Sequence, residues 1–400
     1  MQNLNIGIVG AGVAGLTAGA GLAKVGHRVQ IFDQFDTPSP VGSGLMIQPV
    51  GQSVLDVMDC LAEAQAFGTK IHDMRGWVTK HRWPVLNVAY DPDNLTGESG
   101  LAIHRSALFK VLLDNALAAG VHLRSGHKVT GIDSLQNRKL NFEDGRESES
   151  FDLVIDAAGA RSTISPMKAK PLAYGALWGT VNWIDTPSIP ATRLTQHYHQ
   201  AKYMAGILPL GKIPGSDKAK VAVFWSLKHD NLEDWQKAPI ETWLDEVDQI
   251  WPEGAPFFKQ ITTHNQMASA FYSHGSLRNW YAPSLIHIGD AAHRASPQLG
   301  QGANMALLDA WALVMAIEHY DTLPKALRAA QKMRKQHVTL YQALSRFFTP
   351  MYQSDSRILP MIRDWVLAPP ASIPPIRRQL SKVASGSLIK PLRDNVISLK

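Results

Sequence analysis

The chain has 400 residues, 45% hydrophobic and 18% charged, with a formal net charge of +6, which allows a large core and two domains and excludes a disordered chain. No apolar run approaches the ~20 residues that span a bilayer, and the N-terminus runs straight into a strand rather than a secretory signal, so a cytoplasmic location is expected. Cys60 is the single cysteine, which excludes an intrachain disulfide and a cysteine-rich metal site, and no metal is expected.

Ile6-Gly7-Ile8-Val9 reads as a buried parallel strand. Gly10-Ala11-Gly12-Val13-Ala14-Gly15 follows, then a helical stretch, Leu16 to Lys24, then a second strand, Arg28 to Asp33, ending in an acid. In such a unit the first glycine makes the turn and the second admits a pyrophosphate. The third lets helix and strand pack closely, and the helix N-terminus offers N–H groups to phosphate. Asp33 lies in the window that binds a ribose hydroxyl. This order predicts a dinucleotide site.

A Pro/Gly/Ser-rich loop, Thr37 to Gly44, leads through Leu45 to Pro49 into a helical pattern, Ser53 to Ala66. Residues 70–103 read as strands and turns, with Trp77, Trp83 and Tyr90 interleaved. A helix is expected over Ala107 to Ala118, with Ser106 as N-cap and Arg105 at its start, where a cation opposes the helix dipole. Short strands follow at Val121 to Leu123 and Lys128 to Ile132, then a hairpin-type turn at Glu143 to Arg146. Phe151 to Asp156 is a buried strand ending in a second small-residue turn, Ala157 to Ser162.

From about 170 to 275 the sequence is β-like and aromatic, as in Gly175 to Trp183, Arg193 to His199, Tyr203 to Pro209 and Val221 to Leu227, with one helical segment, Pro239 to Trp251. This predicts a mostly antiparallel second domain. The dinucleotide-type pattern of strand, glycine turn and helix returns at Leu285 to Ile288, followed by Gly289-Asp290-Ala291-Ala292-His293, the turn Ser296 to Asn304 and a helix, Met305 to His319. Pro324 to Phe348 is helical, and prolines break the chain beyond it. Residues 325–400 hold 14 Lys/Arg against three acids, a net of +11, while the rest, with 26 and 31, stands at −5. A solvated helical surface, an anionic membrane face or a protein partner would each suit that tail; nucleic acid is not expected.

Three glycine-bearing turns at strand ends, with the block Gly289-Asp290-Ala291-Ala292-His293, Pro297, Gly300, Gln301, Gly302, Ala303, Asn304 and Asp309, resemble the fingerprints of the FAD-dependent aromatic hydroxylases, the single-component flavin monooxygenases related to para-hydroxybenzoate and salicylate hydroxylases. The resemblance covers essentially the whole chain. It implies an α/β fold in which a discontinuous Rossmann-like FAD domain (1–170 and 276–325) carries an antiparallel substrate sheet (171–275) and a C-terminal helical region (326–400). It further implies that Gly10, Gly12, Val13, Ala14 and Gly15 cradle the FAD pyrophosphate and that Asp33 binds the adenosine ribose. Arg105 would contact the phosphate or ribityl region, and Asp290 the ribityl or pyrophosphate region, the ribityl hydroxyls being the favoured partners. The N–H groups of Gly302, Ala303 and Asn304, after Gly300, would face the flavin pyrimidine edge. Val129 and Gly159 complete the cofactor set. Pro297 would line the oxygen-activation side of the ring, with Gln48 the other candidate for the reaction site. His293 is a candidate as well, its alternative being a buried capping histidine. One departure stands out: the middle turn has Ala158 where the family has aspartate, with Asp156 two residues earlier as a substitute or a mere strand end.

The family chemistry implied is reduction of FAD by NAD(P)H and hydroxylation of a small aromatic or phenolic substrate through a flavin hydroperoxide. Trp178, Trp183, Tyr203, Trp225 and Gln48 are candidate pocket residues, and His197, His199 and Tyr203 candidate bases. Phe347 to Asp355, with Arg363-Asp364, resembles the tails of ubiquinone-type hydroxylases. That leaves two further readings open: a flavoenzyme acting on a lipid-like quinone precursor or a partner's side chain, and a partner-gated or non-catalytic flavin-binding protein.

Overall fold

The apolar run after Leu4 forms the strand Asn5–Val9 inside a six-stranded sheet in the computed structural model, which describes residues 1, 3–37, 43–78, 84–133 and 138–393. It pairs in parallel with Arg28–Phe32 on one side and Leu153–Asp156 on the other. Leu285–His287 adds to the far side of Leu153–Asp156, also in parallel. Strand order therefore reverses at Asn5–Val9, and such a reversal opens a crevice at the carboxyl ends of the strands.

Strand alternation decides what covers each face. Ile6 and Ile8 point to a core shared with the helices Val13–Lys24, Arg105–Ala118 and Gly302–His319. Val9, Phe32 and Val154 point to the other face, covered by Val129, Leu140 and Phe142 of a small hairpin. The first helix is buried from Ala14 to Leu22, as expected for a helix that is apolar all round.

The second sheet has eight strands, ordered His293–Arg294, Met267–Ser276, Lys170–Asn182, Ser216–Lys228, Tyr203–Ile213, Arg193–His199, Asp73–Val78 and Leu86–Ala89. Its last two strands come from within the first 170 residues, so this sheet draws on both sides of the expected boundary at 171. Strand pairing across ~100 residues of chain leaves no local mark in sequence.

Several local expectations shift. The helical pattern Ser53 to Ala66 is two helices, Pro49–Val57 and Leu61–Phe67, broken where Asp59 takes a positive φ of 62°. The helix expected from Ala107 begins at Arg105, and its cap is His104, not Ser106: the His104 ring accepts from the Ser106 N–H at 3.1 Å. The helix expected from Met305 starts at Gly302. The final long helix runs from Leu323 to Tyr352. Trp83 and part of the 37–44 loop lie outside the described residues.

Candidate functional site

The turns after Val9, Asp156 and Ile288 meet at one end of the six-stranded sheet. Gly10 has a φ of +99°, and a Cβ there would lie 2.8 Å from the Ala157 carbonyl, so only glycine makes this turn. A Cβ on Gly289 would be 3.5 Å from Ala14 and 3.6 Å from Ala306, which places the third turn against the starts of two helices. By contrast, a Cβ on Gly12, Gly159 or Gly302 would meet nothing within 4 Å. These three glycines present bare backbone to open space. Asp33 sits beside the first turn and accepts from the Ala11 N–H at 2.9 Å.

Across the crevice, Arg105 is held by its own backbone N–H, which donates to Ser43 at 2.9 Å, and by the neighbouring His104, whose ring meets Thr180 of the eight-stranded sheet at 3.2 Å. Both Arg105 and Asp290 are reached by solvent, yet the protein around them withdraws solvation. Burial pushes the Arg105 guanidinium below its usual value, offset in part by Asp290 and Tyr272. Burial pushes the Asp290 carboxyl up, against the pull of His293, Arg294 and Arg105. Accessible charges in a low-dielectric surround mark the wall of a cleft. Among the described residues neither side chain has a hydrogen-bonding partner of its own. A cation, an acceptor and two bare helix starts fit a ligand that carries phosphates and hydroxyls. Arg105→Met is expected to raise the FAD dissociation constant about 10- to 100-fold, the loss of one charge-assisted contact of ~1.5–3 kcal/mol. Fluorescence titration of apoprotein with FAD reads this directly.

Gln48 and Asn304 tie a small three-stranded sheet, ordered Gly44–Ile47, Gly100–His104 and Thr69–Ile71, to this cleft. The Gln48 N–H donates to Asn304 Oδ1 at 2.8 Å, and Asn304 Nδ2 donates to Gly300 O at 2.9 Å and Met46 O at 3.2 Å. The Gln48 side chain accepts from the Tyr90 hydroxyl and lies 3.1 Å from where a Gly300 Cβ would stand. Gln48 is thus buried beside the glycine turn, with its side-chain oxygen engaged by Tyr90. Gly300 takes a φ of +61°, closing the turn Pro297–Leu299, and Pro297 itself is exposed. The structure brings Gly10 to Gly15, Asp33, Gly159, Asp290 and the start of the helix Gly302–His319 to this end of the sheet, with Arg105 close enough to Asp290 to feel its charge; the turn of Pro297 packs on the helix Leu323–Tyr352. The Val129 side chain is buried in the hairpin core with Phe32 and Phe142, while two residues earlier the His127 N–H donates to Asp33 O at 2.7 Å.

Two buried carboxylates brace the turns. Asp156 accepts from Ser162 Oγ at 2.7 Å, Ala158 N–H at 3.2 Å and His287 Nδ1 at 2.7 Å. It is the internal cap of the middle turn and is not free to replace the missing aspartate at 158. Asp309 accepts from Gly289 N–H at 3.0 Å, His293 Nε2 at 2.6 Å and Arg334 Nε at 2.8 Å. His293 is therefore a buried bracing histidine. Burial alone would raise the Asp309 carboxyl, but His293 and Arg334 outweigh it and hold it at about 2.

Arg334 in turn donates to His337 Nδ1 at 3.2 Å, and His337 Nε2 meets Gly386 O at 2.7 Å. Burial, then the Arg334 charge, pushes His337 down to about 3 from an ordinary 6.5. The folded pKa lies below the unfolded one, so this group's stabilisation is complete above pH 6.5. It is lost as pH falls toward 3, because only the unfolded chain takes the proton. His337→Gln is expected to flatten the fall in melting temperature below pH 6.5, by at most about 1.4 kcal/mol per pH unit; thermal melts from pH 7 to pH 5 check it.

The aromatic candidates divide between the two faces of the eight-stranded sheet. Trp178 pairs with Phe224, and Leu177 with Trp225, so Trp178 and Trp225 point oppositely. Trp225, Trp183 and Tyr203 pack under the helix Ile240–Ile250, away from the cleft face. His197 stacks on Trp251 at 5.7 Å on that same face, and His199 lies beside Tyr203 at 6.1 Å. None of these serves as pocket wall or base at the cleft. Their positions alternate with period two, and an inventory of aromatics does not resolve faces. The cleft face carries Trp178, whose indole N–H donates to the Tyr272 hydroxyl at 3.0 Å. Tyr272, on the strand Met267–Ser276, feels the Arg105 charge, while burial pushes its phenol up to about 12. It has no motif, and only strand pairing puts it here.

A family described as FAD binding domain matches residues 3–340. The chain is similar to the FAD-dependent monooxygenase ntnJ of Nectria sp., 27% identical over 373 residues, covering 84% of this chain and 82% of that one. It is also similar to the 3-amino-4-hydroxybenzoate 2-monooxygenase of Streptomyces cremeus, 25% identical over 355 residues, covering 83% and 84%. Its fold matches that of Klebsiella pneumoniae HpxO complexed with FAD and uric acid, with a TM-score of 0.80 at 18% identity over 97% of this chain and 99% of that one. With three glycine turns meeting at a crevice, two of them open to a ligand at a helix start, and a family match over most of its length, this chain belongs to the FAD binding domain family.

Proposed function

We propose that this protein is an FAD-dependent monooxygenase that hydroxylates a small aromatic or phenolic substrate with electrons from NAD(P)H. The observation that carries this reading is the meeting of the open glycine turns with Arg105, Asp290 and the Trp178–Tyr272 pair in one crevice. Relatives named 3-amino-4-hydroxybenzoate 2-monooxygenase and hispidin-3-hydroxylase support the substrate class. Bound FAD supplies hydride acceptance and dioxygen activation, chemistry that no side chain can perform.

The chain's own residues do the rest. Gly12 and Gly302 would let backbone N–H groups approach FAD, and the start of the helix Gly302–His319 would favour negative charge on the part of the cofactor held there. Arg105 offsets phosphate charge. Tyr272, fixed by the Trp178 indole, offers a hydroxyl to a phenolic oxygen, and the Trp178–Phe224 ring pair, 4.6 Å apart, adds an apolar wall that excludes water from the reacting face. Ala158 leaves the middle turn intact, because Asp156 caps it from inside.

The test is NAD(P)H consumption by the FAD-loaded protein with a panel of phenols, aminohydroxybenzoates and hydroxylated heteroaromatics under labelled dioxygen. One labelled oxygen atom in a product confirms the reading. A flavin that neither cofactor reduces with any substrate present rejects it in favour of a non-catalytic flavin protein.

A further inference from the structure

The turns that follow the long helix are built with their polarity reversed. Arg363 and Asp364 face inward: Arg363 is 2% exposed, pairs with Asp364 at 2.6 Å, donates to Met351 O at 3.0 Å and Gln200 O at 3.2 Å, and lies over the Tyr198 ring at 4.9 Å. The residues on either side face outward. Ile358 is 68% exposed, Met361 61% and Val366 59%. Among the described residues thirteen large hydrophobics are exposed, and nine of them fall between Phe347 and Ile376, so the apolar surface is concentrated rather than scattered. The helix Leu359–Ile362, the turns Arg363–Leu367 and Pro369–Ser372, and the helix Pro374–Ser385 pack on one another in series, which makes this one face.

Its charge is mostly positive. Arg357, Arg378 and Lys382 are exposed and Arg377 half-buried; the single acid from Ser356 to Arg393 is the buried Asp364, and from outside that stretch Asp93 pairs with Arg378 at 2.7 Å. Water favours the opposite arrangement, ions outside and aliphatic groups inside. An apolar face ringed by cations fits the boundary between anionic headgroups and acyl chains. A second copy of the chain fits poorly, since a two-fold contact would set these cations against their own copies. No helix among the described residues is long and apolar enough to cross a membrane, so contact would be with one surface.

We propose that this C-terminal face docks the protein on the surface of an anionic lipid bilayer. The test is co-sedimentation of the FAD-loaded protein with phosphatidylcholine vesicles, with and without phosphatidylserine, at low and high salt. Binding is expected only with phosphatidylserine, and it falls as salt rises. Met361→Ser with Val366→Ser is expected to lower partitioning at least about 10-fold, the factor for withdrawing a large side chain from lipid. Arg377→Glu with Arg378→Glu removes the preference for anionic vesicles. All four positions lie outside the FAD cleft, and unchanged flavin content and melting temperature show that the variants fold. Wild-type protein that stays off phosphatidylserine vesicles at low salt overturns the proposal, as does equal binding by the variants. A concentration-dependent dimer in sedimentation velocity that Met361→Ser with Val366→Ser abolishes also overturns it, assigning the face to self-association. These readouts need no turnover and are independent of the oxygenase reading.

Discussion

Gly15→Ala is expected to yield protein that retains no FAD and melts well below wild type. A Cβ at this position would sit far under 3.0 Å from the Gly10 carbonyl oxygen, a backbone atom that cannot swing aside. Relief requires the helix Val13–Lys24 to move off the strand Asn5–Val9, which disrupts the turn carrying Gly12. Losses from such backbone clashes exceed about 4 kcal/mol. Gly12→Ala is the informative partner. It has a φ of −82° and nothing within 4 Å of its Cβ, so apoprotein stability should hold while flavin affinity falls. Flavin absorbance per protein and apoprotein melting temperature separate the two. Equal behaviour of the two variants would mean that Gly12 serves packing rather than ligand approach.

Asp309→Ala is expected to cost about 3–5 kcal/mol, because it strands the Arg334 guanidinium, buried without solvent, and unties the Gly289 turn. Melting temperature should drop by roughly 4–6 °C. The double variant Asp309→Leu with Arg334→Met should recover much of that stability, since replacing a whole buried pair is far milder than breaking it. It should not recover flavin affinity, because the Gly289 N–H still lacks its acceptor. Differential scanning fluorimetry with and without FAD reads both effects. The carboxyl also makes an acid limit. Held at about 2 in the folded protein against 3.8 when unfolded, it stabilises fully above pH 3.8, and that contribution is lost as pH falls toward 2.

The glycine turns are legible in the sequence because their chemistry is local. Gly10 and Gly15 must be small within a six-residue stretch, and the strand and helix around them have strong periodicity. Arg105 is legible from its place at a helix start, although the cap beside it is not: a histidine ring is a less common acceptor than a serine hydroxyl, and here it overrides the usual ranking. Asp156 and Asp309 are visible as acids, but their bracing roles depend on His287 and on Arg334, residues far along the chain. Tyr272 cannot be singled out at all, because no spacing links it to Arg105 or Trp178.

By itself, then, the chain's order of residues determined a strand-turn-helix nucleotide unit, an antiparallel partner sheet and a basic C-terminal region, since each rests on propensities and steric needs of neighbouring residues. Only the tertiary structure decided which aromatics face the cleft, that Asp73–Val78 and Leu86–Ala89 join the second sheet, and that the last turns bury Arg363 while exposing Val366. Those outcomes turn on strand register and on contacts between distant segments. A one-residue shift in register reverses every side chain, and no local window of sequence carries that information.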